Sequence, residues 1–218
     1  EILDEQMIEM ASEFPGQAEA KYNQRPQPAL GGMFPIEWTK RRYDFDFQRP
    51  PEAWDEVAVT IDATFKRSQH SDYVSVQAWG RWGWEFYLGD EVHDRMSYTE
   101  LRDVVRDFIL MHRPRFILIE AKANGEALID ELRSEFPGVI PFVPDRHGDK
   151  VSRAATITVF WRAGNVHLPA DHWAPWIGAY VKELCGFPAA SHDDRVDAMS
   201  QLLMTWQSAS LTANHRSE

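Results

Sequence analysis

Cysteine is nearly absent. Cys185 alone among 218 residues cannot close an internal disulfide or build a cysteine-based zinc cluster; the thiol reads as packing, and such usage fits a reducing compartment. Long apolar runs are missing too. No stretch of about 18 apolar residues occurs, so nothing reads as a membrane-spanning helix, and Glu1-Ile2-Leu3-Asp4-Glu5 lacks the basic-then-apolar order of a secretory signal. The chain reads as soluble and, with glutamate where a methionine would start it, as a fragment. There is no positive excess: 23 Lys and Arg stand against 34 Asp and Glu, a net charge of −11, which argues against a protein that coats nucleic acid through its overall field. The Gly-x-x-x-x-Gly-Lys-[Ser/Thr] pattern of a P-loop is absent, as are internal repeats and low-complexity segments.

What is present is a globular composition. Hydrophobic residues make up 44% of the chain, with nine Trp and twelve Phe, enough for a substantial core. Residues 1–52 hold one predicted helix, Ile2 to Ala20, and then Arg25-Pro26-Gln27-Pro28, Gly31-Gly32 and Arg49-Pro50-Pro51. Punctuation that dense reads as a linker or the tail of a preceding domain. A regular pattern begins at Trp54 and defines a domain over 53–211, with 212–218 expected as a disordered tail. The spacing predicts strands at Val57 to Ala63, Tyr73 to Gly80 and Trp82 to Leu88, the last two joined as a hairpin. Ser97-Tyr98-Thr99-Glu100 is a capping box ahead of a helix with Leu101, Val104, Val105, Phe108 and Ile109 on one face. A strand from Arg115 to Ala121, a helix carrying Leu128, Ile129, Leu132 and Phe136, and a strand from Val139 to Val143 follow as a βαβ alternation. Helices are then predicted from Val151 to Arg162, stopped by Gly164, from Trp173 to Leu184, and from Asp193 to about Ser208.

Three meandering strands followed by parallel strands with crossover helices is the ribonuclease H-like α/β arrangement, a mixed sheet flanked by helices. In open α/β sheets ligands gather at the carboxyl ends of strands. Asp62 closes the apolar run Val57 to Ile61 and Glu120 closes Phe116 to Ile119, and those two strands would be neighbours. His192-Asp193-Asp194-Arg195-Val196-Asp197 opens the last helix, where Asp194 and Asp197 share a face. Buried carboxylates need partners. All-oxygen donors favour magnesium or manganese, and two such ions roughly 3.5–4 Å apart suit phosphodiester hydrolysis. Asp62 would bridge both ions, Glu120 and Asp194 would hold one each, and Asp197 or Asp193 would support. Lys66, Lys122, Arg146, Lys150, Arg153 and Arg195 fall near the same edge as candidate phosphate contacts. Each residue also has a plainer reading, as turn former, helix cap or solvated surface. His70, His147 and His192 lack zinc-type spacing, and Trp173 with Trp176 reads as packing.

The residues then resemble a known family. Thr60-Ile61-Asp62-Ala63-Thr64 with Lys66, Ile117-Leu118-Ile119-Glu120-Ala121 with Asn124-Gly125, Gly148-Asp149-Lys150-Val151-Ser152-Arg153-Ala154, Ala163-Gly164-Asn165-Val166-His167-Leu168-Pro169 and His192 to Ala198 together look like the nuclease domain of the tailed-bacteriophage terminase large subunit. The resemblance implies a two-metal endodeoxyribonuclease that cuts concatemeric viral DNA during packaging in the host cytoplasm. It also implies double-stranded DNA, a packaging ATPase domain missing here, a portal and a small terminase subunit as partners. Asp62, Glu120 and Asp194 would be its catalytic triad. Asn165 departs from the pattern, standing where the family usually has a basic residue. A Holliday-junction resolvase or another ribonuclease H-like nuclease is the competing enzyme reading, and a DNA- or partner-docking module of a packaging motor the non-enzymatic one.

Overall fold

The computed structural model describes residues 32–63, 73–122 and 124–214. Its centre is a seven-stranded mixed sheet of β1 (Arg42–Tyr43), β2 (Glu56–Asp62), β3 (Tyr73–Trp82), β4 (Glu85–Arg95), β5 (Phe116–Glu120), β6 (Val139–Phe142) and β7 (Val166–Pro169), in the order β1-β7-β4-β3-β2-β5-β6. The meander β2-β3-β4 is antiparallel, whereas β5 joins β2 in parallel, β6 joins β5 in parallel and β7 joins β4 in parallel. Among the described residues five α-helices accompany the sheet: α1 (Tyr98–His112), α2 (Asn124–Arg133), α3 (Lys150–Ala163), α4 (Ile177–Gly186) and α5 (Asp194–Asn214). This is the mixed sheet that the hydrophobic pattern predicts.

Strand alternation sorts the core into two layers. Val59, Ile61, Ile117 and Ile119 point to the side covered by Leu101, Val105, Leu128 and Leu132 of α1 and α2. Ala58 and Leu118 point to the other side, against Val196, Met199, Leu203 and Trp206 of α5 and Ile157 and Trp161 of α3. Asp62 follows Thr60 on that second side, and Glu120 follows Leu118 there. Buried polar groups fix α5 on the sheet. Thr60 Oγ1 donates to Ala198 O at 2.8 Å, Gln201 Nε2 donates to Thr60 Oγ1 at 2.7 Å and to Ile61 O at 3.0 Å, and Gln77 Nε2 donates to Arg195 O at 2.9 Å.

Local signals explain the ends of elements. Ser97 and Glu100 form the reciprocal cap of α1, and Gly164 ends α3 at φ 80°, a backbone that only glycine adopts without strain. Between β3 and β4, Trp79 faces Leu88 and Ala78 faces Asp90, leaving Gly89 without an opposite residue, a β-bulge. A Cβ on Gly89 would stand 2.4 Å from the Phe47 ring, so the close approach of this aromatic requires glycine.

Several expectations need correction. The domain does not begin at 53: Phe34 is fully buried in the core, Ile36–Lys40 forms a 3-10 helix and Arg42–Tyr43 is an edge strand on β7. Proline and glycine spacing masked a segment whose strand partner, β7, lies more than a hundred residues away. The β3–β4 turn falls at Gly83-Trp84 rather than between Gly80 and Trp82, and β4 runs on to Arg95 instead of ending at Leu88. α4 starts at Ile177, and α5 reaches Asn214, so 212–214 are helical rather than tail. The predicted helix at Ile2 to Ala20 lies outside the described residues.

Tyr43 tests the new boundary. Its buried hydroxyl donates to Leu88 O at 2.7 Å. Tyr43→Phe removes that bond and is expected to lower stability by about 1 kcal/mol, read as a reduced midpoint in urea unfolding; an unchanged midpoint would show that the hydroxyl contributes nothing.

Candidate metal centre

β2 and β5 run side by side with Thr60 opposite Leu118 and Ile61 opposite Ile119, so their terminal acids, Asp62 and Glu120, finish at one edge and on the α5 side. The first turn of α5 adds Asp194 and Asp197, preceded by Asp193. All five line one cavity of about 530 Å³, together with Lys122, Lys150, Arg153 and Arg95. The carboxyl ends of two parallel neighbours and a helix N-terminus, where the peptide dipoles favour negative charge, thus line one cavity.

The electrostatics are strained toward cation binding. Seven carboxylates line the cavity, those five plus Asp145 and Asp149, against four cationic side chains. Asp62 is only 4% exposed. Burial raises the Glu120 carboxyl above its usual range and the charge of Asp197 raises it further, against Arg153, Lys122 and Lys150. Burial likewise raises Asp197, with Asp193 adding to the effect and Arg153 opposing it. Arg153 Nη2 donates to Asp197 Oδ1 at 2.9 Å, and Lys150 pairs with Asp193 and stands 3.9 Å from Asp197 Oδ2. Partial burial pulls the Lys150 ammonium down, but Asp193, Asp197 and Asp62 outweigh it and the net shift is upward. Hard oxygen donors that outnumber the cationic side chains among the described lining residues fit divalent ions of the magnesium or manganese type.

These shifts carry a sign. A carboxyl whose folded pKa lies above its unfolded value favours the fold at pH below the unfolded value, and that contribution is lost as pH rises through the folded one. Without divalent ions, Glu120→Gln is therefore expected to unfold at a higher temperature than the wild type at neutral pH, the gap closing as the pH is lowered past the carboxylate range. Calorimetry in chelator across pH checks this, and equal melting temperatures at neutral pH would contradict it.

Not every expected basic residue faces the cavity. Arg195 is an interior residue: Nε donates to Glu91 Oε1 and Oε2 at 2.8 and 3.0 Å, Nη1 donates to Glu183 Oε2 at 2.9 Å, and its backbone N–H donates to Glu183 Oε1 at 2.9 Å. A guanidinium held by two buried carboxylates is a structural cation, so its expected role at phosphate is corrected. Arg153 is also buried and serves Asp197, with Nη1 donating to Gly148 O at 3.2 Å. Arg146 is exposed but lines a separate cavity of about 230 Å³ beside Phe142 and Met204. Lys122 pairs with Asp145 at 2.9 Å on the rim. Lys66 lies outside the described residues. Asn165 donates to Glu85 Oε1 at 2.8 Å. Sequence reasoning missed Glu91, His93 and Glu183; the extra residue in β4 turns Glu91 and His93 onto the α5 side, and no local pattern announces that.

A mixed sheet with carboxylates gathered where β2, β5 and the last helix meet defines a ribonuclease H-like domain. Residues 59–205 match the Terminase RNaseH-like domain, and the chain belongs to that family. Comparison with curated protein sequences gives no match. Among solved structures, the fold is similar to the large terminase from a thermophilic bacteriophage, with a TM-score of 0.56 and 14% identity over 80% of this chain and 45% of that one. It is also similar to the large terminase nuclease from thermophilic phage G20c, seen with bound cobalt (TM-score 0.56, 13% identity, 81% of this chain and 98% of that one) and with bound magnesium (TM-score 0.55, 13% identity, the same coverage). The chain thus spans about 45% of the length of the first of these, the large terminase.

Proposed function

We propose that this domain is a divalent-metal-dependent endonuclease that cuts concatemeric viral DNA during genome packaging, with Asp62, Glu120 and Asp194 holding two magnesium or manganese ions and Asp197 and Asp193 supporting them. The observation that carries this reading is the meeting of five acids from three separate elements in one cavity, where carboxylates outnumber the cationic side chains among the described lining residues. When bound, such ions would stabilise the attacking and leaving oxygens of a phosphodiester. The residues supply the rest. Arg153 holds Asp197 in place, and the ladder of Thr60, Gln77 and Gln201 holds the first turns of α5 against the sheet. Lys122 and Lys150, on the open side, would meet backbone phosphates and position DNA without reading its sequence. The substrate would be double-stranded DNA, and the partners a packaging ATPase domain, a portal and a small terminase subunit in the cytoplasm of the infected host. The magnesium and cobalt forms of the G20c nuclease, a domain of the same fold, support divalent-ion use.

Supercoiled plasmid incubated with the domain should be nicked and linearised with magnesium or manganese and left whole with chelator. Plasmid intact under both ions would overturn the proposal in favour of a docking module. Cutting of four-way junctions in strong preference to linear duplex would favour a resolvase.

A further inference from the structure

Next to the oxygen-lined cavity, the first turn of α5 also meets a nitrogen donor. The His93 side chain is 7% exposed, and its Nε2 finds no hydrogen-bond partner among the described residues; Asp194 Oδ2 stands 3.6 Å away. A buried polar nitrogen in that state is costly and calls for a ligand. Tyr73 stacks on the imidazole at 4.8 Å and 8°, which fixes its plane. Glu183 on α4 supplies a third corner: one ring nitrogen of His93 and one carboxylate oxygen each from Glu183 and Asp194 lie within 4.8 Å of one another. Both oxygens of Glu183 already accept from Arg195, but each has a second lone pair, so Glu183 can keep that pairing and still ligate an ion. Among the described residues, three carboxylates, Glu91, Glu183 and Asp194, meet one guanidinium, that of Arg195, at this corner.

We propose that His93, Glu183 and Asp194 form a second, distinct site for one divalent ion of the zinc class. One imidazole with two carboxylates is a donor set that zinc accepts and magnesium, which prefers oxygen and water, does not. Such an ion would draw its ligands to roughly 2.0–2.2 Å, and Asp194, at 18% side-chain exposure, has room to move inward. Asp194 lines the first cavity and Glu183 a neighbouring one of about 360 Å³, so solvent reaches the site and can supply the remaining ligand. Since Asp194 belongs to both sites, an ion here withholds it from the oxygen-only centre and slows cleavage. That consequence alone rests on the nuclease reading.

The test is zinc titration of the metal-free domain in excess magnesium, followed by competition with a chromophoric chelator and by nitrogen-15 resonances of the histidine rings. One tightly bound zinc is expected, with the His93 ring signals displaced. Changes to the surroundings of a metal ligand cost roughly 10–100-fold in affinity, so His93→Gln, which removes a ligand, should weaken zinc at least about tenfold, while Asp62→Asn should retain it. Unmoved His93 signals in the wild type, unchanged zinc affinity in His93→Gln, or equal loss in Asp62→Asn would each overturn the site. The wild-type ring signals decide the matter even if His93→Gln misfolds. Absent plasmid cleavage beside intact His93-dependent zinc binding would overturn the nuclease reading and leave this site standing.

Discussion

Arg195→Ala is expected to destabilise the domain by about 3–5 kcal/mol, the scale on which breaking a buried ion pair leaves an uncompensated charge. Two carboxylates depend on this guanidinium. Glu91 has a side chain 1% exposed, and Glu183 is 6% exposed; both lose their cation together. Burial already pushes the Glu91 carboxyl up while Arg195 holds it down, so removing Arg195 lets it rise further. Its folded pKa then exceeds the unfolded one by more, and the penalty grows as pH rises and shrinks toward acid. For a domain of this size the melting temperature should fall by roughly 10 °C or more near neutral pH. A triple variant, Arg195→Met with Glu91→Gln and Glu183→Gln, should recover part of the loss, because removing both signs of charge spares the desolvation that removing one incurs. A melting point within a degree of wild type for Arg195→Ala would show that the guanidinium is a surface group after all.

Asp62→Asn is expected to reduce plasmid cleavage by roughly a thousandfold or more, comparable to losing a principal group that stabilises charge in a transition state, while the fold persists. Asparagine has nearly the same shape and keeps one carbonyl oxygen, but it lacks the negative charge that would hold a cation between β2 and β5. Near-normal cleavage by Asp62→Asn, or loss of folding with loss of activity, would remove Asp62 from the proposed centre. Circular dichroism alongside the nicking assay separates these outcomes.

Much of this arrangement was legible in the chain. Val57 to Ile61 and Phe116 to Ile119 declared two buried strands, and the acids that close them had to face whatever the alternating side chains faced. Val196, Met199, Leu203 and Trp206 recur at the spacing of one helix face in α5, and all four are buried. Contacts across long separations were not legible. Arg195 sits in an acidic, polar stretch that reads as surface, and its partner Glu91 lies 104 residues earlier, in the part of β4 beyond Leu88 that the spacing left unassigned. Phe34 and Tyr43 hid among prolines and glycines because the Phe34 ring packs on Trp161 and Phe187 and the Tyr43 backbone pairs with β7, all more than a hundred residues away. Charged residues follow the pockets that the fold builds for them, and local periodicity carries no record of those pockets.

The bulge in β4 decides more than the path of one strand. Up to Leu88 the even-numbered side chains of β4 look toward α5; past Gly89 the odd ones do, and Glu91 and His93 gain their places beside Arg195 and Asp194 through that switch of parity. Were Gly89 drawn into regular pairing with β3, the even count would run on, Asp90 and Val92 would inherit those places, and the glutamate and the imidazole would turn to the opposite layer. A residue with no side chain thus governs which ionisable groups the last helix encounters.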